Sequence, residues 1–339
     1  MAMGRRISRE PIGVGVIGAG AMGMYHVRTL MTSVPDARLL AVHDADPDRA
    51  RQAAALFDGR MAPSVETLIG DVEVEAILVA SPDPTHAGLV LGCLAAGKPV
   101  LCEKPLSTEL AAAQRVIEAE VASGRRSVQL GFMRRYDPAF VELRRTVQSG
   151  EIGLPRIVHC VHRNPSPYPG ITARGIVRNS MIHELDALRW ILGAEITSIR
   201  IETAQAVEDP VGPQLATIRI GADILASVEI SVNARYGYDV RCEVLGEQGS
   251  ASLVPPAIVR TQTAGAETVR VSSGFVARFG DAYLAQLRDW VDGVRTATAR
   301  GPSAWDGFMA EVVAGAAVEA LTTGHRQLVP TPDRPDLYA

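Results

Sequence analysis

Cysteine is scarce in this chain and scattered. The four residues, Cys93, Cys102, Cys160 and Cys242, form no CxxC pair and no ligand spacing, which argues against a zinc site and for reduced thiols in a cytoplasm. Long apolar runs are missing as well. No stretch approaches the roughly 20 apolar residues of a membrane helix. The opening Met1–Glu10 is basic, but no apolar run of signal-peptide length follows it. Blocks of like charge are absent too. With a formal net charge of −4, nothing in the overall charge calls for nucleic acid or an anionic membrane as partner. There is no internal repeat and no low-complexity linker. A cytoplasmic protein with no metal is expected.

What the sequence does contain is enough apolar residue for two cores. Its 339 residues are 47% hydrophobic and 21% charged, and a chain of this length divides into two domains by default. In the first third, short apolar runs (12–17, 39–42, 76–80, 100–102 and 128–130) read as strands buried on both faces. Helix-compatible stretches (22–31, 48–57, 86–96 and 110–122) separate them, with Gly97 and Gly124 where helices should stop. This βαβα order predicts a doubly wound parallel sheet. After about residue 150, longer strands are expected at 156–162, 196–203, 216–220, 224–233, 240–245, 250–253 and 268–271. One helix, 180–192, interrupts them, and two more follow at 282–298 and 304–323. The expected architecture is an α/β chain: a Rossmann domain over residues 1–131, then an α+β domain over 132–339 with a large, mostly antiparallel open-faced sheet. The terminal helices are free to pack back on the first domain.

Gly18-Ala19-Gly20-Ala21-Met22-Gly23 is a GxGxxG turn between a predicted strand and a predicted helix. Gly18 permits the turn, Gly20 lets backbone approach a pyrophosphate, and Gly23 allows close helix–strand packing. The helix N–H groups beyond it, from Ala21 and Met22 onward, face the phosphates. Asp44, at the end of the next strand, stands where an acid binds the adenosine ribose hydroxyls and repels a 2′-phosphate. NAD is therefore expected over NADP. Asp46, before Pro47, reads as a helix cap.

Three further stretches carry a resemblance. They are Ala80-Ser81-Pro82-Asp83-Pro84-Thr85-His86, the run Ala96–Leu106 with Glu103-Lys104-Pro105 at its centre, and Gly131–Pro138 with Met133-Arg134-Arg135-Tyr136-Asp137. His183-Glu184-Leu185-Asp186 and Trp190 follow later. Over nearly its whole length the chain resembles the glucose–fructose oxidoreductase/inositol dehydrogenase (Gfo/Idh/MocA) family, most of all its inositol 2-dehydrogenase branch. The resemblance implies that Ser81, Pro82, His86, Glu103 and Lys104 border the cofactor. It implies that Lys104 is catalytic with a cis proline after it, and that His183 is the general base. It implies an NAD-dependent transfer of hydride between the nicotinamide and a ring carbon of a polyol, with inositol oxidised to a 2-keto-inositol. A homo-oligomer comes with it, a tetramer first and a dimer as the alternative. A sugar or aminocyclitol dehydrogenase is the near alternative and a non-catalytic NAD-binding sensor the distant one; Lys104 and His183 speak against the sensor.

The chain departs from its relatives at Asn179, where they usually carry aspartate. Asparagine four residues before His183 would meet it on an α-helix. It is expected to orient the imidazole without charging it, and Asp186, one turn on, is the candidate to compensate. A polyol offers many hydroxyls, so its site needs side chains that donate and accept. Arg134, His162, Asn164, Asp186, Tyr236 and Tyr238 are the candidates. Arg135 and Asp137 read as a structural ion pair or helix start.

Overall fold

Apolar runs too short for helices build the first layer of the protein. A computed structural model describes residues 10–204, 212–254 and 259–339; residues 1–9, most of the basic opening stretch, lie outside them. Strands β1 (Ile12–Ile17), β2 (Ala37–His43), β3 (Arg60–Met61), β4 (Ala76–Val79), β5 (Val100–Cys102) and β6 (Val128–Leu130) form one parallel sheet in the order β3-β2-β1-β4-β5-β6. Every residue of β1, β4, β5 and β6 is buried, because helices cover both faces. These are α1 (Ala21–Ser33), α2 (Pro47–Ala55), α3 (Val65–Gly70), α4 (His86–Ala95) and α5 (Leu110–Ser123). Asp46 caps α2 by accepting from the Asp48 and Arg49 amides, and Gly124 ends α5 in the left-handed region. The pieces β3 and α3 fall below the length at which periodicity is readable.

The second layer starts after α6 (Pro138–Gln148), which Asp137 caps. Strand β7 (Pro155–Arg163) leads to a short turn, α7 (Ala173–Gly175), then a turn of π-helix over Ile176–Met181 that runs into α8 (Ile182–Leu192). Strands β8 (Ile196–Thr203), β9 (Gln214–Ile220), β10 (Ile224–Ser231), β11 (Asp239–Gly246) and β12 (Ser250–Ser252) follow. With β15 (Gln327–Leu328) they make a sheet ordered β12-β11-β7-β10-β9-β8-β15, antiparallel except where β10 meets β7. The segment expected as a strand at 268–271 is not in this sheet. Its residues up to Val269 belong to β14 (Ala266–Val269), which pairs only with β13 (Arg260–Thr263) in an exposed hairpin.

One face of the sheet is core. Along β10, Ala226, Val228 and Ile230 are buried while the alternate residues are not. The outward face is dressed in polar pairs such as Arg163–Glu229 and His159–Ser227, with Leu215, Leu225 and Leu245 exposed among them. Helix α9 (Phe275–Thr296) starts ahead of its expected position and is kinked at Phe279; it lies on α1. Helix α10 (Ala304–Thr323) is apolar nearly all round and packs against α5, β6, α8 and β8, so a single helix joins both layers.

Candidate active site

Residues that follow the carboxyl ends of β1, β4 and β5 share one cavity with residues of the second layer, and the predicted turn follows β1. Gly18 has φ +97°, and a Cβ on Gly23 would stand 1.9 Å from the Gly18 carbonyl oxygen. A Cβ on Gly20 would meet nothing within 4 Å. The N-terminus of α1 has no side-chain cap, so its amides are available to phosphate oxygens. Asp44 does two things there: Oδ2 accepts the Ala19 amide at 2.6 Å and Oδ1 the Asp46 amide at 2.8 Å. The turn and its acid therefore form one hydrogen-bonded unit. Ala21 and Met22 line a shallow apolar hollow with Tyr25 and Phe275.

Beside this turn lies a cavity of about 460 Å³. Of the residues singled out in the sequence, Met22, Ser81, His86, Glu103, Lys104, His162, Asn164, Asn179, His183 and Tyr238 line it. Pro82 is exposed at its side and is not part of the wall. His86 ties two loops together, Nδ1 lying 2.7 Å from the Pro105 carbonyl and Nε2 2.8 Å from that of Ser81. The Lys104–Pro105 peptide is cis. Glu103 holds the buried His26 at 2.7 Å. Burial pushes its carboxyl up, but the His26 bond and charge, with Lys104 and His86, outweigh this and leave it below the ordinary value.

Lys104 and His183 face one cavity from the two layers. Burial lowers the Lys104 pKa, opposed by Glu103 and Asp83. Its Nζ donates to the Asn179 carbonyl oxygen at 3.1 Å and to Asn179 Oδ1 at 3.2 Å. His183 stands edge-on to the rings of Phe132 and His162 at 6.4 and 6.3 Å. Its Nδ1 is buried with no partner among the described residues. Burial first, then the charges of Lys104, Arg134 and His162, push its pKa well below the ordinary value.

The expected Asn179–His183 hydrogen bond is not there. The turn carrying Asn179 is π-helical, and its wider winding takes position i off the face that i+4 occupies in an α-helix. Asp186 does not replace it: the side chain is buried against Arg135, accepting at 3.0 and 2.5 Å, and Arg135 also reaches Asp306 at 2.8 Å. Arg134 does not line the cavity either. It is 2% exposed, ion-paired with Glu184 and 3.2 Å from His162 Nδ1, with Phe140 and Phe279 against its guanidinium. It supports His162 from behind. Tyr236 is half exposed, donates to Asp239 at 2.5 Å and accepts from Arg163 at 3.0 Å. Gly237, at φ +147°, breaks the extended alternation, so Tyr238 alone of the pair enters the wall. Arg135 and Asp137 are both structural but not partners: Asp137 pairs with Arg278 at 2.6 Å.

The sequence reading missed Asp83, Met133, Ser166, Tyr168, Ser180 and Tyr283, all on the wall. Met133 was the nearest to legible, one position before Arg134. Tyr168 and Ser166 sit on a proline-rich loop with no period to read, and Tyr283 arrives from a helix some 180 residues away from Lys104 in the chain. Tyr168 is pushed up to about 12 by burial and then by the Asp83 charge. Among the described residues no cluster fit for a metal ion occurs, and no helix is long and apolar enough to cross a membrane.

The chain is 44% identical over 331 residues to inositol 2-dehydrogenase 1 of Saccharopolyspora erythraea, covering 96% of this chain and 98% of the relative. It is 42% identical over 332 residues to the inositol 2-dehydrogenase of Streptomyces avermitilis, covering 96% and 97%. The structure of myo-inositol dehydrogenase from Lactobacillus casei in complex with NAD(H) and myo-inositol superposes with a TM-score of 0.93 at 31% identity, covering 97% of this chain and 100% of that one. Residues 12–132 match the model of an oxidoreductase family with an NAD-binding Rossmann fold, and residues 140–252 match the C-terminal domain of the same family. The chain belongs to the Gfo/Idh/MocA oxidoreductase family.

Proposed function

We propose that the protein is an NAD-dependent inositol 2-dehydrogenase. The observation that carries this reading is the placement of Lys104 and His183 on one cavity at the open end of the glycine turn, in a chain whose relatives at 40–44% identity are inositol 2-dehydrogenases. The chain fits the cofactor: the space over Gly20 and the uncapped start of α1 form a cradle that a Cβ would fill. Gly18, Gly20, Ala21, Met22 and Gly23 would hold the pyrophosphate and Asp44 the adenosine ribose, with Ser81, His86, Glu103 and Lys104 bordering the nicotinamide. NAD, when bound, supplies the hydride acceptor.

The chain's own groups handle the proton. Lys104 holds the reacting hydroxyl and offers positive charge where oxygen becomes negative. His183 stays neutral because its pKa is low, so it can accept the hydroxyl proton as hydride leaves. Nδ1 faces protein, which leaves Nε2 for the substrate. His162, Asn164, Asn179 and Tyr238 supply donors and acceptors to the ring hydroxyls. The functional division falls near Gly131, a cofactor domain before it and a substrate domain after it. The outward leucines of the second sheet support a homo-oligomer, a tetramer in this reading, at work in the cytoplasm. Light scattering at micromolar concentration tests the assembly; a monomer mass overturns it.

A sugar or aminocyclitol substrate is the second reading. Asn179 favours it, as does Asp83, a carboxylate on the cavity wall whose charge acts on Lys104 and Tyr168. Single-turnover NADH absorbance with a panel of inositols, aminocyclitols and hexoses separates the two. Turnover with hexoses or aminocyclitols and none with inositols would remove the first.

A further inference from the structure

Behind the Lys104–Asn179 contact lies a carboxylate that the mechanism above does not use. Glu311 projects from α10, the helix shared by both layers, and is 2% exposed. Its Oε2 accepts from Arg178 Nη1 at 2.7 Å. Its other oxygen, Oε1, is buried with no partner among the described residues. Arg178 precedes Asn179 on the π-helical turn, and α10 packs on that turn. A buried carboxylate with half its acceptor capacity unused carries a desolvation cost. Here its one ion pair fastens the turn that must deliver two Asn179 oxygens to a single ammonium.

We propose that Glu311 is a positioning residue: through Arg178 it pins the π-helical turn so that Asn179 presents both oxygens to Lys104. This rests on the reading of Lys104 as a group that touches substrate. The charges that face Glu311 come from three elements: Arg178 on the turn, Asp83 on the loop after β4, and Lys104 after β5. Burial, the largest influence, together with Asp83 outweighs Arg178 and Lys104 and brings the carboxyl up to about 7. The ion pair therefore strengthens as pH rises through neutrality and weakens below it. His183 titrates well below its ordinary value, so the two effects occupy different parts of a pH profile.

Glu311→Gln keeps the shape and removes the charge. It should lower kcat about tenfold, in keeping with the cost of a slightly misplaced group, and leave the NADH dissociation constant unchanged. The limb of the kcat–pH profile near neutrality should vanish, while the limb at lower pH stays. Arg178→Met should do the same, and the double variant should be no slower than either single one, because both remove one interaction. Unchanged kcat and pH profile in Glu311→Gln would overturn the proposal, as would additive losses in the double variant. Should Glu311→Gln fail to fold, Arg178→Met decides by the same two readouts. If the unmodified protein turns over no cyclitol, the substrate reading falls, but this inference is still tested. Acetylation of Lys104 by acetic anhydride, followed by mass spectrometry, rises with pH as the amine loses its proton, and Glu311 should add an inflection near neutrality that is missing in Glu311→Gln; the same inflection in that variant overturns the proposal.

Discussion

Among the described residues, Asn179 receives both hydrogen bonds that Lys104 Nζ donates, one on its carbonyl oxygen at 3.1 Å and one on Oδ1 at 3.2 Å. The substitution Asn179→Asp therefore acts on the lysine. A carboxylate against an ammonium favours the charged form and raises its pKa. The alkaline limb of the kcat–pH profile should move up by about one pH unit, with the acid limb of His183 nearly unmoved. A shift of the acid limb alone would mean that position 179 works through the histidine after all.

Cofactor choice rests on a residue that also builds the turn. Asp44 takes the Ala19 and Asp46 amides, so Asp44→Ala removes charge and scaffold together. Asp44→Asn keeps an acceptor and drops the charge that repels a 2′-phosphate. Asn should narrow the preference for NAD over NADP, and Ala should in addition weaken both cofactors. The ratio of kcat/KM for the two cofactors measures this. Equal use of both by the unmodified protein would dispose of the role of Asp44.

The glycines of the turn separate fold from binding. Gly23→Ala drives a Cβ to 1.9 Å from the Gly18 carbonyl, and relief requires the helix to back off, at about 1–3 kcal/mol. Gly20→Ala meets no protein atom within 4 Å, and its φ of −67° suits alanine. Its stability should stay within about 0.5 kcal/mol of the parent, while NAD binding weakens by about tenfold because the methyl stands where the pyrophosphate approaches. Urea unfolding and NADH fluorescence read the two effects. A destabilised Gly20→Ala with normal NADH binding would reverse the assignment.

Much of this was legible in the chain. Runs such as Ile12–Ile17 and Ala304–Thr323 carry their boundaries in their own apolar pattern and match the elements end to end. The glycine turn is legible because backbone close to phosphate admits no Cβ. Two of the misplacements share one cause: regular backbone was assumed where the chain is irregular. Asn179 left the expected helical face because the turn before α8 is wound as π-helix. Tyr236 left the wall because Gly237 is not extended. Arg134 follows a strand of the cofactor sheet, yet it turns back to Glu184 while Met133 enters the cavity. Glu311 and Tyr283 reach the site through packing between distant helices, and no local pattern announces that.

The buried group of Arg134, Glu184 and His162 gives the last prediction. Arg134 and Glu184 are each 2% or less exposed, and His162 Nδ1 is 3.2 Å from Glu184 Oε2. Burial pushes the Glu184 carboxyl up, but Arg134 and His162 outweigh it and hold its pKa below the ordinary value. The folded state thus favours the ionised form. Its contribution is present above the unfolded carboxyl value of about 4.3 and is lost as pH falls through the lower folded value. Glu184→Gln leaves the guanidinium buried without a counter-charge and should cost about 3–5 kcal/mol at pH 7, measured by urea unfolding. The gap between variant and parent should shrink as pH drops below about 4. Adding Arg134→Met removes the stranded charge, and the double variant should recover most of the loss. A double variant as unstable as Glu184→Gln would show that the carboxylate acts chiefly through His162, and the catalytic wall would then depend on that contact instead.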